Sequence, residues 1–529
     1  DQRKILENVT GKPASETPQL WALYKEVQDY YDKGMRVPDD VTLLLCDDNW
    51  GNIRRLPKLT DKPRTGGYGI YYHFDYVGDP RNYKWINTNN IARVWEQMHL
   101  AYEHDAKNIW IVNVGDLKPM EFPITFFLQY AWNPGKWDAE NLNDFYIQWS
   151  SSQFGKKYSH EIGNILKKYA QYASRKKPEL LNADTYSLEN FNEAQKVTDD
   201  WNSLLASAAK IYSYLPEEYK NAFFQLVLHP VKAYANLQNL YTAVSWNNLY
   251  AKENNPLANK YAADAKQFYL NDSLISNEYN ALNQGKWNHM MDQTHIGYTN
   301  WQQPAQQTMP QLRSVDEVHE TVSKATPINN TMDGQEFVER SIPERLHRNI
   351  FYERMGYVSI EAAHYTRKHE TGQIHWKIIP GIGRDGDGIA SFPVTQPQLT
   401  LASELSPTLE YEFESYDSGS FSLHTFFSPT LNVFDDPEGL QYAIALDHQK
   451  PKMISINKDD HDQKQWSQWV ADNVIIKSTL LRIEKSGKHT ITFYRISPAV
   501  VLQKIVLDFG GMKNSYLGPP ETILKHINK

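Results

Sequence analysis

Through the first 149 residues, short apolar runs alternate with stretches of helical spacing, a rhythm that predicts repeated strand–helix units. "QLWALYK" (19–25) reads as a strand, and "EVQDYYDKG" after it as a helix stopped at Gly34. "DDVTLLLC" (39–46) is a nearly unbroken apolar run, the pattern of a strand buried on both faces of a parallel sheet. "YGIYYHF" (68–74) and "KNIWIVNV" (107–114) supply a third and a fourth strand. Each leads into a helical stretch: "NTNNIARVWEQMHLAYEHDA", with a polar cap and apolar positions at Ile91, Val94, Trp95, Met98 and Tyr102, and "FPITFFLQYAW".

The pattern changes at about residue 150. Helical period then persists to about residue 300, which predicts a helix-bundle domain over 150–310. The polar "QQPAQQTMPQLRSVDE" opens a connection over 311–354. Over 355–529, alternating runs such as "LEYEFESY", "YAIALD", "HTITFYRI" and "VLQKIVLDF" are separated by turn residues and predict an antiparallel β-sandwich. The predicted fold is multidomain α/β. Four βα units make half of an eight-stranded barrel, so 1–149 reads as the second half of a TIM-like (β/α)8 barrel. The remaining strands are expected in sequence preceding Asp1.

The predicted strands end in polar clusters: Glu26 after the first, Asp47, Asp48 and Asn49 after the second, His73 and Asp75 at the third, Asn113 and Asp116 after the fourth. In a parallel βα array these ends share one face, where such sheets hold their chemistry. Glu26 follows the apolar "WALY", where desolvation would raise a carboxyl enough to keep the proton a general acid needs. Asn49, His73 and Asn113 are suited to hydrogen-bond hydroxyls or carboxylate oxygens. Trp50, Tyr71, Tyr72 and Tyr76 are suited to stack on pyranose faces. A sugar hydrolase is the economical reading, and a non-catalytic carbohydrate-binding or scaffold protein is the alternative.

Charge excludes one class of partner. The 529 residues carry 55 Lys and Arg against 63 Asp and Glu, a net charge of −8, with no basic block to neutralise phosphates, so nucleic acid is not expected. No apolar run is long enough to span a bilayer. The single Cys46, within "VTLLLC", reads as a buried strand thiol. Aromatic content of 13% suits sugar stacking and bulky cores equally.

Other motifs weigh less. Gly381, Gly383 and Gly386 in "GIGRDGDG" match a dinucleotide pattern but lack a following helix, so they read as a hairpin loop, with Asp385 and Asp387 as turn residues. His289, Asp292 and His295 lack the spacing of a helical zinc motif and read as polar packing; no metal or cofactor is predicted. Arg54, Arg55, Arg64 and Lys118 read as surface charges, some able to hold an anion.

The blocks "LLLCDDNWGNIRRLP", "GGYGIYYHFDYVGDPRNYKWINT", "IWIVNVGDLKPMEFP", "GKWNHMMDQTHIGYTNWQQP" and "SYLGPPE" together resemble the α-glucuronidases of glycoside hydrolase family 115. The resemblance implies an inverting glycosidase that removes α-1,2-linked (4-O-methyl)glucuronic acid from glucuronoxylan, polymeric or oligomeric. It also implies a homodimer and, for an enzyme of xylan degradation, a secreted or periplasmic location. Glu26 matches the family's general acid, and Asn49, His73, Tyr76 and Asn113 match positions lining the glucuronate pocket; Trp50 and Asp48 lie beside them. The family's general base, an aspartate, is expected upstream of residue 1; Asp47, Asp48 and Asp116 are fallback candidates but are expected to be structural or substrate-positioning.

Overall fold

The computed structural model describes residues 1–316, 350–400 and 406–522. Four strands, β1 (Gln19–Leu23), β2 (Val41–Cys46), β3 (Tyr68–His73) and β4 (Trp110–Asn113), form one sheet in the order β1-β2-β3-β4, parallel throughout. The apolar run of β2 is buried on both faces, as its composition demands. Cys46 closes that strand and is fully buried, and burial pushes its thiol up to about 12.

Among the helices, α1 (Gln2–Thr10) precedes the sheet and α2 (Glu26–Asp32) follows β1. The next, α3 (Ile91–Glu103), starts where the Asn90 side chain accepts the Ala92 N–H at 3.0 Å, and buries Ile91, Val94, Trp95 and Met98. After β4 come α4 (Glu121–Trp132) and α5 (Leu142–Phe154). The boundary expected at residue 149 therefore falls inside α5, which packs along α6 (Ser159–Arg175). Then α7 (Glu193–Tyr214), α8 (Glu217–Phe223), α9 (His229–Lys252) and α10 (Leu257–Asn280) follow. One turn of π-helix, Phe224–Leu228, joins α8 to α9 just before Pro230. One apolar cluster runs from the β1–β4 sheet through these helices and reaches Ile379, Phe392 and Val433.

The predicted connection 311–354 lies largely outside the described residues, and its last part is a strand, β5 (Ile350–Tyr352). It is followed by β6 (Tyr357–Glu361), β7 (Arg367–His369), β8 (His375–Ile379), β9 (Gly388–Phe392), β10 (Thr408–Ser415), β11 (Gly419–Phe427), β12 (Gln441–Leu446), β13 (Lys452–Ser455), β14 (Ile475–Ile483), β15 (Gly487–Arg495) and β16 (Val501–Asp508). They form two six-stranded sheets. One runs β13-β12-β15-β10-β5 with β7 beside β10, the other β14-β11-β16-β9-β8 with β6 beside β16. Side chains of both sheets, Tyr411 and Phe493 with Leu423 and Leu507, share one cluster. The pairings are antiparallel except that β5 runs parallel to β10, which departs from the purely antiparallel expectation.

The glycine-rich "GIGRDGDG" is the turn between β8 and β9, and it joins the segments. Gln171 donates to the Gly383 and Gly386 carbonyls at 2.9 and 2.8 Å, and Asn90 to the Gly381 carbonyl at 2.8 Å. Arg175, fully buried, donates to the Arg384 carbonyl at 2.7 Å and meets Asp385 at 3.1 Å. Asp385 is thus more than a turn residue. Removing one partner of a buried ion pair leaves the other uncompensated. Arg175→Ala is expected to cost about 3–5 kcal/mol, read as a lowered unfolding midpoint. Lys196→Ala, at a half-exposed partner of the same Asp385, should cost about 1 kcal/mol or less.

Candidate active site

The strand ends converge on one edge of the parallel sheet. Glu26 lies just beyond β1, Asp47, Asp48 and Asn49 follow β2, His73 ends β3, and Asn113 ends β4 as its register partner. The aromatic alternation in "YYHF" divides two faces. Tyr72 and Phe74 meet Phe127 of α4, with ring centroids 6.2 and 5.9 Å away. Tyr71 and His73 take the other face, where the imidazole lies 4.5 Å from the Tyr71 ring and 6.0 Å from that of Tyr24.

Two adjacent buried carboxylates build the turn after β2. Asp47 Oδ1 accepts the Asn49 N–H at 3.1 Å and the His73 imidazole Nδ1–H at 2.6 Å. Its Oδ2 accepts the backbone N–H groups of Gly51 at 3.0 Å and His73 at 3.2 Å. Asp48 Oδ1 accepts from the backbones of Trp50 and Asn52 at 2.9 and 3.0 Å, and Oδ2 from the Asn52 amide and the Trp466 indole, both at 2.8 Å. A carboxylate offers about four lone-pair positions, and both are saturated. Asp48 therefore holds the turn. Burial, and then the charge of Asp47 beside it, pushes Asp48 above the usual carboxylate range. Because a carboxylate only accepts, His73 carries its proton on Nδ1, and Nε2 is left for a ligand.

A cavity of about 780 Å³ opens over this edge. Of the expected residues, Glu26, Asp48, Asn49 and Tyr76 line it. Asn49 sits at φ 68°, a conformation Asn tolerates, with its buried Oδ1 lacking a protein donor. His73 and Trp50 instead line a small neighbouring cavity of about 50 Å³, where Trp50 packs on Tyr83 at 4.8 Å. Asn113 belongs to neither lining; its Oδ1 accepts the Gly115 N–H at 3.0 Å. The expected set is thus divided between two adjoining spaces.

Glu26 is exposed, not desolvated. The apolar residues of "WALY" lie along β1, whereas Glu26 opens α2 beyond the strand end and projects at the cavity. Lys25 before it takes φ 47° and lays its ammonium 5.3 and 5.4 Å from the Tyr24 and Tyr76 ring centres.

The four singled-out cations have different fates. Arg55 bridges Asp32 at 3.2 Å and Asp435 at 3.0 Å, Arg64 caps the Pro38 and Val41 carbonyls, and Lys118 pairs with Glu121. Arg54 lines the cavity with Asp460, on whose carboxyl its charge acts. His289 pairs with Asp292 on the surface at 2.6 Å, while His295 is buried against Trp85 and bonded to Asp272 at 2.9 Å, so the three do not converge.

Sequence reasoning missed Trp301, Asp460 and Trp466, which complete the cavity wall. It also missed a buried group behind it. Lys177, pushed down to about 8 by burial, lies over the Tyr83 ring and donates to Thr88 at 2.8 Å. Glu179, raised by burial, accepts from the backbones of Lys84 and Trp85. No local signal marks these residues, because folding alone brings them to the strand ends.

Residues 1–180 match the model of glycosyl hydrolase family 115, and residues 350–521 match that of the glycosyl hydrolase family 115 C-terminal domain. Among solved structures, a family GH115 4-O-methyl-α-glucuronidase with specificity for decorated arabinogalactans superposes with a TM-score of 0.74 at 23% identity. The match covers 96% of this chain and 60% of that one, so the chain spans about three fifths of that structure's length. The C-terminal CBM6 of a laminarinase from Zobellia galactanivorans aligns over 29% of this chain and 98% of its own at 13% identity, with a TM-score of only 0.20. A family 35 carbohydrate binding module from Clostridium thermocellum covers 28% and 97% at 12% identity and a TM-score of 0.19. No curated protein sequence matches the chain.

Asp75 gives this region a pH signature. Burial, reinforced by Glu179 and Asp116 against Lys84, pushes its carboxyl up to about 6, above the roughly 3.9 of an unfolded chain. Between those values the native state holds a proton that the unfolded state has released, so stability falls as pH rises through the window. Asp75→Asn removes that fall. The unfolding free energy of the unmodified protein relative to the variant should drop by about 2 kcal/mol from pH 4 to pH 7, measured by denaturant titration. A difference constant across that range would refute the assignment.

Proposed function

The chain belongs to glycosyl hydrolase family 115, and from that premise we propose that it removes α-1,2-linked (4-O-methyl)glucuronic acid side chains from glucuronoxylan with inversion at the anomeric carbon. The observation that carries the reading is the cavity at the carboxyl ends of the parallel strands, lined at once by Glu26, Asn49, Tyr76 and Arg54. On this reading 1–149 contributes half of a TIM-like barrel, the helical segment buttresses it, and the β-sheet segment closes it as a sandwich.

In this mechanism Glu26 donates its proton to the glycosidic oxygen as the bond to the uronate breaks. Its exposure gives it access to a proton from solvent between turnovers, and burial by the bound polysaccharide supplies the desolvation that favours the protonated acid. The uronate needs a cation and hydrogen-bond donors when it leaves water. Arg54 supplies the charge, the Asn49 amide and Tyr76 hydroxyl bind sugar oxygens, and His73 Nε2 approaches from the adjoining space, while Asn113, the register partner of His73, stands outside both linings. Inversion places a water between the acid and a second carboxylate, roughly 6.5–9.5 Å apart. Asp47 and Asp48 are unsuited to be that base, since neither retains a lone pair for a water proton.

Glucuronic acid release by the protein in its natural length tests the reading, with glucuronoxylan and decorated arabinogalactan as alternative polymers. The first product observed by NMR should be the β-anomer; initial α-anomer would exclude inversion. Glu26→Ala should lower kcat on the polymer by about 10²–10⁴-fold yet largely spare an aryl α-glucuronide, whose leaving group needs little protonation. Equal loss on both substrates in a folded variant would remove Glu26 from the role of acid.

A further inference from the structure

Two tryptophans line the cavity from segments remote from Glu26 in sequence. Trp466 lies in the first turn of the helix Gln463–Asp472, which is capped by Asp462 through the N–H groups of Lys464 and Gln465. Its indole N–H donates to Asp48 Oδ2 at 2.8 Å, so the ring is held by an anchor that is itself buried. Trp301 follows the helical segment, and its carbonyl accepts the Asn82 N–H at 2.8 Å. Both residues are half-buried, and neither ring meets another aromatic ring among the described residues. They differ in this from the core tryptophans: Trp201 stacks on Tyr234 at 4.1 Å, and Trp85 on His295 at 3.4 Å.

A large apolar face at the edge of a polar cavity, held rigid by its own N–H bond, is suited to the C–H face of a pyranose. The lining carries seven carboxylates against two arginines and one lysine, so away from Arg54 the wall suits a neutral pyranose better than a second anionic one. At about 780 Å³ the space is in the range of about 300–1,000 Å³ that takes a ligand larger than one sugar ring. We propose that Trp466, with Trp301, forms the platform for the neutral pyranose backbone that bears the uronate, the leaving-group side of the site. This rests on the hydrolase reading above and adds the residues that recognise the polymer.

The test uses the natural-length protein and undecorated xylohexaose, a neutral ligand without uronate, titrated by calorimetry. Trp466→Ala and Trp301→Ala should each weaken binding roughly ten-fold, Trp466→Phe should retain most of it, and Trp132→Ala, at an exposed tryptophan outside this lining, should leave it intact. In parallel, Trp466→Ala should lower the ratio of kcat/KM on glucuronoxylan to that on an aryl α-glucuronide by roughly ten-fold. Should Trp466→Ala fail to fold, Trp301→Ala and Trp466→Phe carry the comparison. Xylohexaose binding that is absent, or equal in all variants, overturns the platform even if glucuronic acid is released. Tryptophan-dependent binding without any release would leave the platform standing and sink the hydrolase reading instead.

Discussion

Two carboxylates, adjacent in sequence and buried side by side, set the geometry on which the site depends. Burying Asp47 and Asp48 is costly unless every lone pair finds a donor, and together they draw on the backbone from Asn49 to Asn52, the amide of Asn52, the backbone and imidazole of His73, and the indole of Trp466. The requirement for donors fixes the path of the turn, the tautomer of His73 and the seating of a helix from the far end of the chain. Asn49 is presented to the cavity because its neighbours are committed inward.

The same dependence extends to the whole chain. The cavity wall needs the β-sheet segment, and that segment is seated by buried or half-buried arginines. Arg175 grips the β8–β9 turn, Arg55 ties α2 to Asp435, and Arg93 of α3 contacts both Asn52 and the Pro429 carbonyl. Guanidinium groups suit this work because their fixed fork of donors satisfies carbonyls and carboxylates together. A site that straddles several segments responds to anything that loosens them, so on the proposed reading substrate recognition depends on the ion pairs that hold the segments together.

Glu26 shows how the proposed chemistry draws on this architecture. Glu26 stands on an exposed helix start in contact with solvent, in contrast to the buried Asp48 and Asp75, whose carboxyls burial pushes upward. The proposed polymer platform supplies what the protein alone lacks, because a chain lying on Trp466 and Trp301 would exclude water from the cavity and desolvate Glu26 only when substrate is present.

The sequence by itself determined the strands and helices of the first segment, since long apolar runs and helical periods report local burial, and "VTLLLC" and "IARVWEQMHLAY" are each decided by which faces meet the core. It also located the polar strand ends, because a parallel sheet must place them on one edge. Tertiary structure alone decided how those residues are used. The four donors that Asp48 gathers are seen only in the fold, Glu26 reads as desolvated until α2 lifts it off the strand, and Arg54 looks like Arg55 until only Arg55 is seen to bridge Asp32 and Asp435. Trp466 and Trp301 left no local signal, because a cavity wall built from residues hundreds of positions apart is a property of packing between segments, and periodicity along a chain records only what each segment buries for itself.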